Sequence, residues 1–116
     1  MDPIEQEIRS LVNLQEGWDY GEGKPPSKST INKAIQIYNL AKNYKILTEI
    51  FPIGDGDICL SFSQGEIFVD VEIESDGSYN LCIEKGIGNK YTIEEDIEDI
   101  TFNDIENRLN IYFKNY

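Results

Sequence analysis

The sequence predicts an α+β domain: two N-terminal helices, an antiparallel β-meander of four strands with a candidate fifth, and a C-terminal helix. Three observations predict it. Apolar residues recur at helical spacing over residues 4–14 and 31–44, alternate with polar ones from residue 47 to residue 84, and return to helical spacing after Phe102. The alternating stretches are separated by the turn-forming runs Gly54-Asp55-Gly56, Gln64-Gly65 and Asp76-Gly77, which are too short for a crossover and therefore imply antiparallel neighbours. A chain of 116 residues can bury one core and not two, so residues 1–116 are read as a single domain.

The elements follow in order. Asp2 can cap a first helix with Pro3 at its first position, and Ile4, Ile8, Leu11 and Val12 place an apolar stripe through about Leu14. Three glycines and two prolines between Gly17 and Pro26 then forbid regular structure, which predicts a loop carrying Trp18 and Tyr20. Trp18 is expected to anchor that loop on the core, with Tyr20 beside it; an exposed tryptophan would instead be an interface anchor. Ser27 or Ser29 can cap the second and longest helix, whose stripe is Ile31, Ala34, Ile35, Tyr38 and Ala41, with Tyr44 a candidate member. Leu47 to Phe51 reads as a strand stopped by Pro52. Ile58, Leu60 and Phe62, then Ile67, Val69, Val71 and Ile73, then Tyr79, Leu81 and Ile83 mark three half-buried strands. Gly86 and Gly88 break the pattern. Tyr91-Thr92-Ile93 is the candidate edge strand, and the acidic run from Glu94 to Asp99 reads as a solvated connection. Thr101 with Asp104 resembles a helix start, and Phe102, Ile105, Leu109, Tyr112 and Phe113 give the last helix an apolar face that returns to the core.

Composition narrows the function classes. Apolar residues at 40% and charged residues at 28% are globular proportions and exclude a largely disordered acidic chain. The formal charge of −12 is uneven: residues 1–65 carry nine acids and six bases, residues 66–116 thirteen acids and four bases. Such a field repels nucleic-acid phosphate and anionic membrane and attracts a basic partner, although it also serves solubility alone. The start, Met1-Asp2-Pro3-Ile4-Glu5, has neither the basic residues nor the apolar run of a secretory signal, and no stretch approaches about 20 apolar residues. A cytoplasmic location is expected. Cys59 and Cys82 are too few for a disulfide framework and are read as reduced thiols.

No catalytic, metal-binding or cofactor-binding residues are assigned. The chain has no histidine, which removes the commonest general base, the triads that use it and most zinc sites. Cys59 lies among serines and Cys82 next to an acidic strand position, and neither setting favours thiolate. Gly54-Asp55-Gly56-Asp57 and Gly86-Ile87-Gly88 lack the lysine and following helix of a phosphate loop, and two acids in a turn supply too few ligands for calcium. Carboxylates remain. Asp70, Glu72 and Glu74 should project from one face of a strand with Glu84 opposite on its neighbour, and this ladder suits a lysine-rich partner, a hard cation or plain solvation.

Leu14-Gln15-Glu16-Gly17-Trp18-Asp19, Tyr20-Gly21, Pro25-Pro26-Ser27, the helix at Ala34 and Asp55-Gly56-Asp57-Ile58 form a pattern that reaches Asp76-Gly77. Over residues 11–77 it resembles a group of small bacterial proteins, often cyanobacterial, with a Gly-Trp-Asp-x-Tyr-Gly-like loop and an Asp-Gly-Gly-Ile-like strand start. The resemblance implies an α+β module and transfers no catalytic residues. This chain departs from the pattern in having no residue between Asp19 and Tyr20, and in placing Asp57 where a second glycine is usual.

The leading expectation is a non-enzymatic acidic protein-binding module, antitoxin-, immunity- or inhibitor-like, that neutralises a basic bacterial protein. Asp70, Glu72, Glu74 and Glu84 would steer the partner, with Phe68 as a central anchor. The alternatives are a nucleic-acid mimic that blocks a nuclease and a small-ligand or metal-binding domain.

Overall fold

In the computed structural model, which describes residues 2–114, each helix begins on a side chain that accepts from its free amides. Asp2 accepts from the amides of Ile4 (2.8 Å) and Glu5 at the head of α1 (Pro3–Ser10), and one 3₁₀ turn, Leu11–Asn13, extends it. Ser27 accepts from Thr30 at the head of α2 (Lys28–Ala41), and Thr101 from Asp104 at the head of α3 (Phe102–Tyr112). The second carboxylate oxygen of Asp2 also accepts from the Tyr38 hydroxyl at 2.6 Å, which ties the start of α1 to the side of α2.

The five strands β1 (Leu47–Ile53), β2 (Asp57–Gln64), β3 (Ile67–Ile73), β4 (Tyr79–Ile87) and β5 (Lys90–Ile97) form one antiparallel sheet in the order β1-β2-β3-β4-β5. Alternation sends Ile58, Leu60, Phe62, Val69, Val71, Ile73, Leu81 and Ile83 to one face, where all are buried. Helix α2 lies across β2 and β3 on that face, with α1 and α3 against it. Its buried face is wider than the expected stripe: Thr30 and Ile37 are buried besides Ile31, Ala34, Ile35, Tyr38 and Ala41, because the helix has neighbours on both sides as well as the sheet beneath. Tyr44 lies beyond the helix, half-buried, its ring tilted against that of Phe113 at 6.0 Å between centroids and its hydroxyl donating to Asn110.

Three expectations are corrected. Pro52 does not stop β1, which continues to Ile53; β1 is an edge strand, where a missing N–H can face solvent at no cost to the ladder. Gly86 does not break β4. It sits inside the strand opposite Tyr91, and a Cβ there would come within 2.4 Å of a Glu66 carboxylate oxygen and 3.2 Å of the Tyr91 ring. The acidic run is not a plain connection either: residues 94–97 belong to β5, which makes the fifth strand longer than Tyr91-Thr92-Ile93. Among the described residues no helix is long and apolar enough to cross a membrane.

Candidate functional site

Among the described residues the helices cover one face of the sheet, and none packs on the other. Strand parity and register assign that open face. It carries Leu47, Glu49 and Phe51 from β1; Asp57, Cys59, Ser61 and Ser63 from β2; Phe68, Asp70 and Glu72 from β3; Asn80, Cys82 and Glu84 from β4; Tyr91, Ile93 and Asp96 from β5. No lysine or arginine stands among them. Asp70 lies between Ser61 and Cys82 in one cross-strand row, and Glu72 between Cys59 and Asn80 in the next. An open trough of about 290 Å³ runs over these rows, lined by Asp70, Glu72, Asp96 and Glu98 with both cysteines and Asn80.

The charges in the trough work against one another. Burial, then the neighbouring charges of Asp57 and Glu74, raise the Glu72 carboxyl above the ordinary glutamate value. Burial and then Asp70 and Glu72 push the Cys59 thiol up to about 12, and burial followed by Asp96, Glu84 and Asp70 raises Cys82. Both are therefore thiols with little nucleophilic character near neutral pH. They flank β3 from β2 and β4, two interstrand spacings or roughly 10 Å apart, beyond the reach of a disulfide. Among the described residues no group of three or more cysteine, aspartate and glutamate side chains converges to hold a metal ion.

The structure puts Asp70, Glu72 and Glu84 on this face, but Glu84 stands opposite Phe68, while Cys82 and Asn80 stand opposite Asp70 and Glu72. Glu74 lies at its end, where it accepts from Asn80 (2.7 Å) and from the Ser78 hydroxyl (3.0 Å) in the β3–β4 turn. Phe68 is not central. It sits in the second position of β3, half-buried, with its ring edge-on to Tyr91 at 5.4 Å between centroids. Tyr91 and Ile93, expected only as a candidate edge strand, and Asp96 and Glu98, expected in a solvated connection, complete the face, and the place of Asp96 on it has a local reason. A bulge causes this. Glu84 pairs with Ile93 and Ile83 with Glu95, so Glu94 is an extra residue that reverses the parity of β5 midway. The same reversal turns Glu95 under the sheet, where Arg108 (2.9 Å) and Tyr112 (2.7 Å) of α3 donate to it.

The loop of Trp18 closes on itself away from this face. The indole N–H donates to the Lys24 carbonyl at 2.9 Å, and Gly23, at φ +90°, leaves room for the ring. Lys24 in turn donates to the Gly54 carbonyl, so the half-buried tryptophan holds its loop to the β1–β2 turn. Tyr20 anchors nothing. With Gly21 it forms the two-residue turn of a small hairpin between Asp19 and Glu22, and at φ +52° its side chain stands fully in solvent. No protein-family model, curated protein or solved structure matches the chain.

Proposed function

We propose that this chain is a non-enzymatic, acidic protein-binding module of antitoxin, immunity or inhibitor type that neutralises a basic bacterial protein in the cytoplasm. The observation that carries the reading is the uncovered sheet face. Every charged residue on it is an acid, and it is bordered by exposed Leu47, Phe51, Tyr91 and Ile93. A carboxyl such as Glu72, whose charge is disfavoured by burial and by neighbouring acids, gains from an incoming lysine or arginine more than an isolated surface carboxylate does. Apolar side chains around the acids supply the desolvated contacts that steering charge alone does not. The raised thiols and open trough supply no nucleophile or enclosed pocket, which favours binding over chemistry.

Affinity purification from the native host should recover a basic protein whose binding weakens with salt. Reversing Asp70, Glu72, Glu74 and Glu84 together to lysine should weaken that binding by about 100-fold while circular dichroism reports an unchanged fold. Undiminished binding by the reversed variant sinks the proposal. Displacement of the partner by DNA would assign the face to nucleic-acid mimicry of a nuclease channel.

A further inference from the structure

The open sheet has two free edges, and they are guarded differently. Pro52 sits in β1 and removes a donor from that edge. The other edge, β5, runs for eight residues without proline or glycine, and Lys90, Tyr91, Thr92, Ile93 and Glu94 are exposed in succession. Tyr91 and Ile93 are 62% and 60% exposed on the open-face side of this edge, and Asp96 and Glu98 follow them. An edge strand presents a row of unsatisfied backbone groups that any extended chain can complete. A second copy of this chain is a poor candidate on charge, since each β5 carries Glu94, Glu95 and Asp96 against the single base Lys90, so two such edges meet with like net charge.

We propose that β5 is a docking edge for an extended basic segment of the partner, which adds to the sheet as a sixth strand. Its side chains on the open-face side run from apolar, beside Tyr91 and Ile93, to basic, beside Asp96 and Glu98. The ladder supplies attraction independent of sequence, and the two pairs of side chains select for this polarity of segment. The inference rests on the proposed recognition of a basic protein and specifies how part of that partner is held.

The test uses the peptide Lys-Thr-Lys-Thr-Val-Thr-Val, capped at both ends, and the same peptide N-methylated at every residue, which keeps its side chains and charge but offers no backbone donor. Binding is followed by amide chemical shifts and hydrogen exchange in the intact protein. The expected result is slowed exchange of β5 amides by the unmethylated peptide and at least about tenfold weaker binding of the methylated one. Equal binding of both, with shifts centred on Asp70 and Glu72, overturns strand addition while leaving recognition of a basic partner by the face in place. Binding of neither peptide overturns the docking edge, and the charge-reversal experiment above judges the face separately. A dimer seen by sedimentation with β5 amides protected in the absence of peptide also overturns it, since the edge then belongs to a second copy.

Discussion

Tyr20 is held in the left-handed region with its side chain wholly in solvent, a conformation that glycine and asparagine adopt with far less strain. No buried contact of the ring compensates. Tyr20→Asn should therefore raise stability by about 1 kcal/mol, read as a higher urea midpoint at unchanged slope; a lower midpoint would show that the ring supports the loop. Two glutamates oppose each other in their pH dependence. Burial, Asp57 and Glu74 hold Glu72 above the ordinary value, so its contribution is full below that value and is lost as pH rises through the raised one. Hydrogen bonds from Tyr112 and then Arg108 hold Glu95 below it, so its contribution is present above the ordinary value and is lost as pH falls through the lowered one. Near neutral pH, Glu72→Gln should stabilise the protein and Glu95→Gln should destabilise it. Both differences should close as the medium is acidified through the carboxylate range, and urea titrations at a series of pH values would follow them.

At the scale of the element, each helix depends on a capping side chain and each inner strand on the apolar half of its alternation. Thr101→Ala removes the side-chain cap at the head of α3 and should cost about 1 kcal/mol, whereas Phe62→Ala empties a fully buried site in β2 and should cost about 3–5 kcal/mol. Thermal melts followed by circular dichroism would rank the two, and equal losses would contradict the packing described for β2. Those same signals made the fold readable in advance. The alternation of Ile58 to Phe62, Val69 to Ile73 and Leu81 to Ile83, with glycine at the turns, is a direct imprint of a sheet with one buried face. Pro52, Gly86 and the second half of β5 were misread because each obeys a non-local condition. Proline is tolerated where no strand lies beyond it, glycine where a tyrosine leans over it, and an acidic strand where a bulge has shifted its parity. The acidic face was half legible for the same reason: Asp70, Glu72 and Glu84 lie on strands of regular period, while Asp96 is reached only through the shift at Glu94.

Taken whole, the molecule is electrically two-sided. Its bases lie on α1, α2, α3, the connections and the helix-facing positions of β4 and β5, and none on the open face. The excess of acids after residue 65 foretold the sign of the field but not its placement, because counting along a chain does not say which side of a pleat a residue occupies. The order β1-β2-β3-β4-β5 has a mechanical consequence. Every strand pairs only with its neighbours in sequence, so tension applied at the two ends reaches the outer strands first. With five strands, β1 and β5 run the same way, and the ends that are pulled, Leu47 and Ile97, lie at opposite ends of the sheet, so a pull between them acts along the strands and loads many ladder bonds together. Stretched between its ends after the helices have come away, the sheet should resist as one sheared unit and give way in a single rupture, and a staircase of small low-force steps in a pulling experiment would mean that the strands peel one at a time.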